Sequence, residues 1–207
     1  MTSFIRKNNQ TSLRGFTLTE IAIVLGIIGL ILGAIWIAAS AVYNNLRVSK
    51  ATTELLQMAQ SVRALYATTA TTGDAAGTDE TQNYCKAAIF PSDMVTNPCA
   101  AAAPFATDPW AGAVTMTSQT AANVGDAFGI EFSSVPQGAC ISLLTRNTGA
   151  GRDAGLWYAN ATAAAVGAAA FGAAASTFPI SATTAATACG VTGTAGNFVQ
   201  FKFKLRG

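Results

Sequence analysis

From Gly15 to Val42 the chain reads GFTLTEIAIVLGIIGLILGAIWIAASAV, and no Asp, Glu, Lys or Arg falls between Ile21 and Val42. At roughly 1.5 Å per helical residue, a run of about 20 apolar residues spans the ~30 Å hydrocarbon core of a bilayer. Such a helix has no polar face to turn to water, so lipid or protein must cover it. Glu20 stands at its edge. A carboxylate at mid-membrane costs about 2.5–3.5 kcal/mol, which makes an ionisable side chain held against such a run a functional candidate with a partner to be found. Arg6, Lys7 and Arg14 precede the run. Lys and Arg stay cytoplasmic, so the part that follows is expected to be exported.

The helical pattern does not stop at Val42. Val48, Ala51, Leu55, Met58, Val62 and Leu65 recur at steps of three and four, while Arg47, Lys50, Glu54, Gln57 and Arg63 occupy other faces. One continuous helix is expected from Phe16 to about Tyr66, apolar all round in its first half and amphipathic in its second. About fifty residues at roughly 1.5 Å each make ~75 Å of helix, more than a globular domain of this size needs. Gly26, Gly29 and Gly33 interrupt the apolar half, and Gly29 to Gly33 is a G-x-x-x-G. Small residues so spaced let helices approach closely in lipid, but glycines are also simply tolerated there, and both readings stand.

G-F-T-L-T-E followed by an apolar run resembles the amino terminus of type IV prepilins. The resemblance implies that a prepilin peptidase on the cytoplasmic side cuts between Gly15 and Phe16 and methylates the new Phe16 amine, and that Glu20 serves filament assembly. It further implies a membrane-anchored subunit, with its amino terminus cytoplasmic and its head periplasmic, that the inner-membrane assembly machinery draws out of the lipid into an extracellular helical homopolymer. Gly26, Gly29 and Gly33 are the candidate packing positions in that polymer. Many members of the family carry a proline in this stretch, and this chain has none. The pattern also admits an ordinary secretory signal peptide cut near Ala39-Ser40-Ala41. That reading needs a shorter apolar segment, of roughly 7–15 residues, and gives Glu20 no task.

Of 12 basic residues three lie in Met1 to Gly15, and none of the 10 acidic ones does, so the net charge of +2 belongs to the leader. The balance is no argument for a nucleic-acid partner, which needs clustered Lys and Arg. Cys85, Cys99, Cys140 and Cys189 all follow the apolar run. An even count in an exported part favours disulfides, and four cysteines allow three pairings. The preferred set joins Cys85 to Cys99 across a short loop, and Cys140 to Cys189 across a long one that resembles the stapled carboxyl-terminal loop of pilins. Four free thiols or a zinc site are the alternative, but there is no C-x-x-C spacing and no histidine.

The head is expected to start at the loop Thr68 to Gln82. Asp108-Pro109-Trp110-Ala111-Gly112 reads as a turn and is similar to the P-W-x-G segment of type IV pilins; Ala113 to Thr117 alternates as a strand. Phe128, Ile130 and Phe132 make a second strand face, and Pro136 to Leu144 starts a short helix. Ala159 to Ala188 is half alanine and reads as a surface excursion held by Cys189, with helical propensity over Ala163 to Ala175. Phe198 to Arg206 is the clearest strand: Val199, Phe201, Phe203 and Leu205 face one way, and Gln200, Lys202, Lys204 and Arg206 the other, as on an edge or a solvated face.

Without histidine, Ser-His-Asp and Cys-His chemistry and histidine metal sites are excluded. Gly149 to Gly155 misses the dinucleotide spacing, and Asp74, Asp79 and Glu80 lack the calcium-loop spacing and read as a solvated loop. No cofactor or metal is implied and no enzyme is expected. The expectation is therefore an α+β type IV pilin fold in which residues 1–15 are a cleaved leader, residues 16–66 the long helix with its membrane or filament-core segment at 21–42, and residues 67–207 a disulfide-stapled head on an antiparallel sheet. Leader and mature length look like the type IVb branch, which includes toxin-coregulated and conjugative thin pili. A minor pilin or a type II secretion pseudopilin, and a membrane-tethered or secreted binding protein, are the rival functions. Adhesion, conjugation and DNA uptake remain equally open.

Overall fold

The computed structural model describes residues 15–99, 103–165, 171–172, 174–192 and 196–206, so the leader expected before Gly15 lies almost wholly outside the described residues. The chain divides into two compact units, Met1–Tyr43 and Asn44–Gly207. Helix α1, Leu18–Leu65, contributes its first part to one and its second part to the other. In the first unit every described residue is exposed, as an all-apolar helix with nothing packed on it must be.

The second unit is built on a four-stranded antiparallel sheet. Its strands are β1 (Val114–Gln119), β2 (Ala127–Val135), β3 (Leu156–Thr162) and β4 (Asn197–Lys204), in the order β1-β2-β4-β3. Strand alternation puts every second side chain on one face, and the register lines these up in rows: Val114, Phe132, Val199, Ala161; Met116, Ile130, Phe201, Ala159; Ser118, Phe128, Phe203, Leu156. The apolar members of these rows join Val48, Ala51, Leu55, Met58, Ala59 and Val62 of α1 in one core, which explains the step of three and four in that half of the helix. Leu65, expected on the same stripe, is instead half exposed at the helix end, and Glu54, off that stripe, is buried as well. Among the described residues three short helices complete the head: α2 (Thr81–Lys86), α3 (Gln137–Asn147), which begins after Pro136, and α4 (Ala182–Ala188), whose first turn is capped by Ser181 accepting from the Thr184 N–H at 3.1 Å.

Two expectations fail in the sheet. The last strand is neither an edge nor a solvated face: β4 lies between β2 and β3, and Lys202 on it is fully buried. Its ammonium donates to the carbonyls of Thr120 at 3.0 Å and Gly172 at 2.6 Å and lies over the Tyr158 ring, and burial pushes its pKa down against the pull of Asp126. The alanine-rich stretch is not wholly a surface excursion either. It opens within β3, its Phe171 is buried with its N–H donating to Gln119 Oε1, and it ends in α4. Ala163–Ala165, Phe171, Gly172, Ala174 and Ala175 carry no helix, and the rest of that expected helix lies outside the described residues.

Candidate assembly surface

Thr17 precedes α1 and Glu20 is its third residue, the T-x-x-E spacing of a capping box. The Glu20 N–H donates to Thr17 Oγ1 at 3.3 Å, and the Thr17 hydroxyl donates to Glu20 Oε2 at 3.4 Å. Thr17 therefore fixes the start of the helix and holds the Glu20 side chain back along it, a task the sequence reading did not give it. The S/T-x-x-E signature was there to be read. Gly15 and Phe16 precede the helix, both exposed, Phe16 at 79%.

Past Glu20 the surface is aliphatic on every side, from Ile21 through Ile23, Leu25, Ile28, Leu30 and Leu32 to Trp36 and Val42, with each large side chain at least 45% exposed. Monomeric soluble proteins do not leave a patch of this extent bare. This is also the one helix among the described residues that is long and apolar enough to cross a membrane. Gly26, Gly29 and Gly33 lie along it, and a Cβ built at any of them meets nothing within 4 Å, so all three are gaps in the side-chain surface, open to a neighbouring helix.

In the head, Cys85 is bonded to Cys99 and Cys140 to Cys189, with Cα separations of 5.6 and 6.0 Å. The second bond ties α3 to the residue that ends α4 across a span of 49 residues. Asp108 builds the turn at Pro109 to Gly112. Its Oδ1 accepts from the N–H groups of Trp110 and Gly112 at 2.8 Å each, Ala111 takes a φ of 65°, and Gly112 packs against the Ser133 backbone with no room for a Cβ. Burial nonetheless pushes the Asp108 carboxyl up to about 6. Arg63, placed by the sequence only off the apolar stripe, is an anchor: its guanidinium makes a two-pronged ion pair to Asp153 at 2.8 and 2.6 Å and donates to the Lys204 carbonyl, which holds the end of α1 to the sheet. A Cβ at Gly155 would meet that guanidinium, so the glycine leaves Arg63 its place. Sequence spacing carried no sign of this pair, whose members lie 90 residues apart. No cluster of three or more candidate metal ligands occurs among the described residues.

Comparison with known proteins brings these features under one heading. The family described as PilS N terminal matches residues 45–201. Among solved structures, the chain is similar to a type IVb pilin from Salmonella typhi at 18% identity, over 75% of this chain and 99% of that one, with a TM-score of 0.52. It is also similar to TcpA, a type IV pilin from the Vibrio cholerae El Tor biotype, at 16% identity, over 76% of this chain and 98% of that one, with a TM-score of 0.47. No curated protein sequence matches it. The helix packed on a four-stranded antiparallel sheet and closed by two disulfides is the type IV pilin fold, and the chain belongs to the PilS N terminal family.

Proposed function

We propose that the protein is a structural subunit of a type IVb-like pilus, held in the bacterial inner membrane by its apolar helix until assembly buries that helix in a filament core. The observation that carries the reading is the bare aliphatic surface of α1 from Ile21 to Val42, attached to a head that has its own closed core. In this reading residues 1–15 are a leader removed by prepilin peptidase between Gly15 and Phe16, and the Phe16 amine is then methylated. Residues 16–66 form the anchor and filament helix, and residues 67–207 the exported head. Membrane lipid covers the helix first, and copies of the same helix cover it later. Burial at roughly 25 cal/mol per Å² of apolar surface makes such a bundle stable without covalent links. Gly26, Gly29 and Gly33 are the positions where neighbouring helices come closest.

Cleavage leaves a cation on Phe16 about one helical turn from Glu20, in surroundings where neither charge is left unpaired cheaply. Near the membrane surface both reach water or lipid headgroups. In a filament core, Glu20 of one subunit neutralises the Phe16 amine of the next and sets their axial register. Processing has a direct test, the mass of the protein recovered from the membrane. The wild-type chain should begin at N-methylated Phe16, and Gly15→Leu should accumulate with Arg6, Lys7 and Arg14 still attached. A wild-type chain that begins at Val42 instead fits a signal peptide and removes the anchor on which the reading rests.

A further inference from the structure

A cleft of about 300 Å³ opens between the loop that leads into β3 and the segment that precedes α4. Arg152, Gly155, Trp157, Ser176, Phe178 and Lys204 are among its lining residues. The two cations meet only aromatic rings. Arg152 Cζ lies 5.1 Å from the centre of the Phe178 ring, and Lys204 Nζ lies 3.9 Å from that of Trp157. Neither charged end forms an ion pair or hydrogen bond among the described residues. Among the described residues, two neighbouring carboxylates are already engaged. Asp153 gives both oxygens to Arg63 and to the Gly155 N–H, and Asp126, which feels the Lys204 charge, accepts from the N–H groups of Ala121, Ala122 and Asn123.

We propose that this cleft binds an acidic sugar, with its carboxylate on Arg152 and Lys204 and its ring along the aromatic lining. Each part of the ligand follows from a part of the cleft. The guanidinium fork has its N–H donors unspent and matches the two oxygens of a carboxylate. The volume is at the lower end for small-molecule sites, larger than a bare anion needs, and the aromatic lining offers apolar surface to the C–H face of a sugar ring. A nucleic acid fits poorly, because its repeated phosphates call for a track of cations and this cleft presents two.

The site belongs to the folded head, so the proposal does not depend on filament formation, and the full chain in neutral detergent is the material for its test. Calorimetric titration with trigalacturonic acid, with maltotriose as a neutral probe of similar size and with a thymidine trinucleotide, distinguishes the possibilities. Saturable binding of trigalacturonic acid is expected, with maltotriose and the trinucleotide at least about tenfold weaker. Arg152→Gln, on an exposed loop, and Lys204→Gln should each weaken trigalacturonic acid about tenfold. Both variants should melt at the wild-type temperature. The proposal is overturned by absent or non-saturable binding, by maltotriose binding as well, by tighter binding of the trinucleotide, or by an Arg152→Gln variant that melts normally and binds unchanged.

Discussion

Glu54 is 4% exposed in the amphipathic half of α1, and one of its carboxyl oxygens is buried without a hydrogen-bond partner. Burial pushes its carboxyl up to about 7, Lys50 at 3.5 Å pulls the other way, and the nearby charges of Asp93 and Asp108 push up again. A carboxyl whose folded pKa lies above its unfolded one favours folding fully below the ordinary value near 4.5, and that contribution is lost as pH rises towards 7. Asp108, raised to about 6, acts in the same direction. Asp93 and Asp153 act in the opposite one, since Lys50 and Arg63 respectively hold their carboxyls low, and their contribution is lost as pH falls through the acid range. Glu54→Gln is therefore expected to flatten the loss between about pH 5 and 8 and to stabilise the head at pH 8 by an order of 2–3 kcal/mol, with no gain near pH 4. Urea unfolding of the full chain in neutral detergent across that range measures it. An unchanged pH slope in the variant removes Glu54 as the cause.

At the scale of elements, the parts with a strong period were legible in the sequence and the parts fixed by distant neighbours were not. The period of α1, the alternation of β2 and β4 and the Pro-Gly turn before β1 each lie within one stretch of chain. The position of β4 inside the sheet does not. Lys202 looked solvated because the groups that hold it, the carbonyls of Thr120 and Gly172, are 82 and 30 residues away. Strand β3 was lost in the alanine-rich stretch because its core-facing Ala159 and Ala161 are too small to mark an apolar face, although they occupy the rows opposite Phe201 and Val199. On the candidate surface the apolar run is legible in the sequence, whereas the Thr17 hydroxyl that meets Glu20 is found only in the structure. Helix α4 buries only Ala185 among its residues, so its place depends on the Cys140–Cys189 bond that follows it. Closing such a loop stabilises by roughly 2–5 kcal/mol. Replacing Cys140 and Cys189 together by Ser should open the segment from Ala163 to Val191 to protease at least about tenfold faster, while cleavage within the sheet strands lags behind. Limited proteolysis with mass mapping reads this, and an unchanged cleavage rate there would mean that α4 is held by its packing alone.

For the molecule as a whole, the head covers its apolar surface and the helix from Ile21 to Val42 does not. The head buries its apolar residues in one core and pairs Lys50 with Asp93 and Arg63 with Asp153. The apolar helix has no such core, so on the proposed function lipid covers it first and other copies of the helix cover it later, and assembly is the passage from one to the other. Glu20 separates this account from a plainer one in which the carboxylate only caps α1 through Thr17. Glutamine serves in a capping box as well as glutamate does but cannot neutralise an amine, so Glu20→Gln keeps the cap and removes the charge. Losing one partner of a buried pair typically costs about 3–5 kcal/mol, enough to stop assembly while insertion and processing continue. The measurement is electron microscopy of filaments sheared from cells, labelled with an antibody to the head, beside an immunoblot of the membrane fraction. The account predicts wild-type filaments labelled along their length, and few or none from Glu20→Gln despite mature subunit in the membrane. Wild-type filaments without label, or abundant labelled filaments from Glu20→Gln, would contradict it.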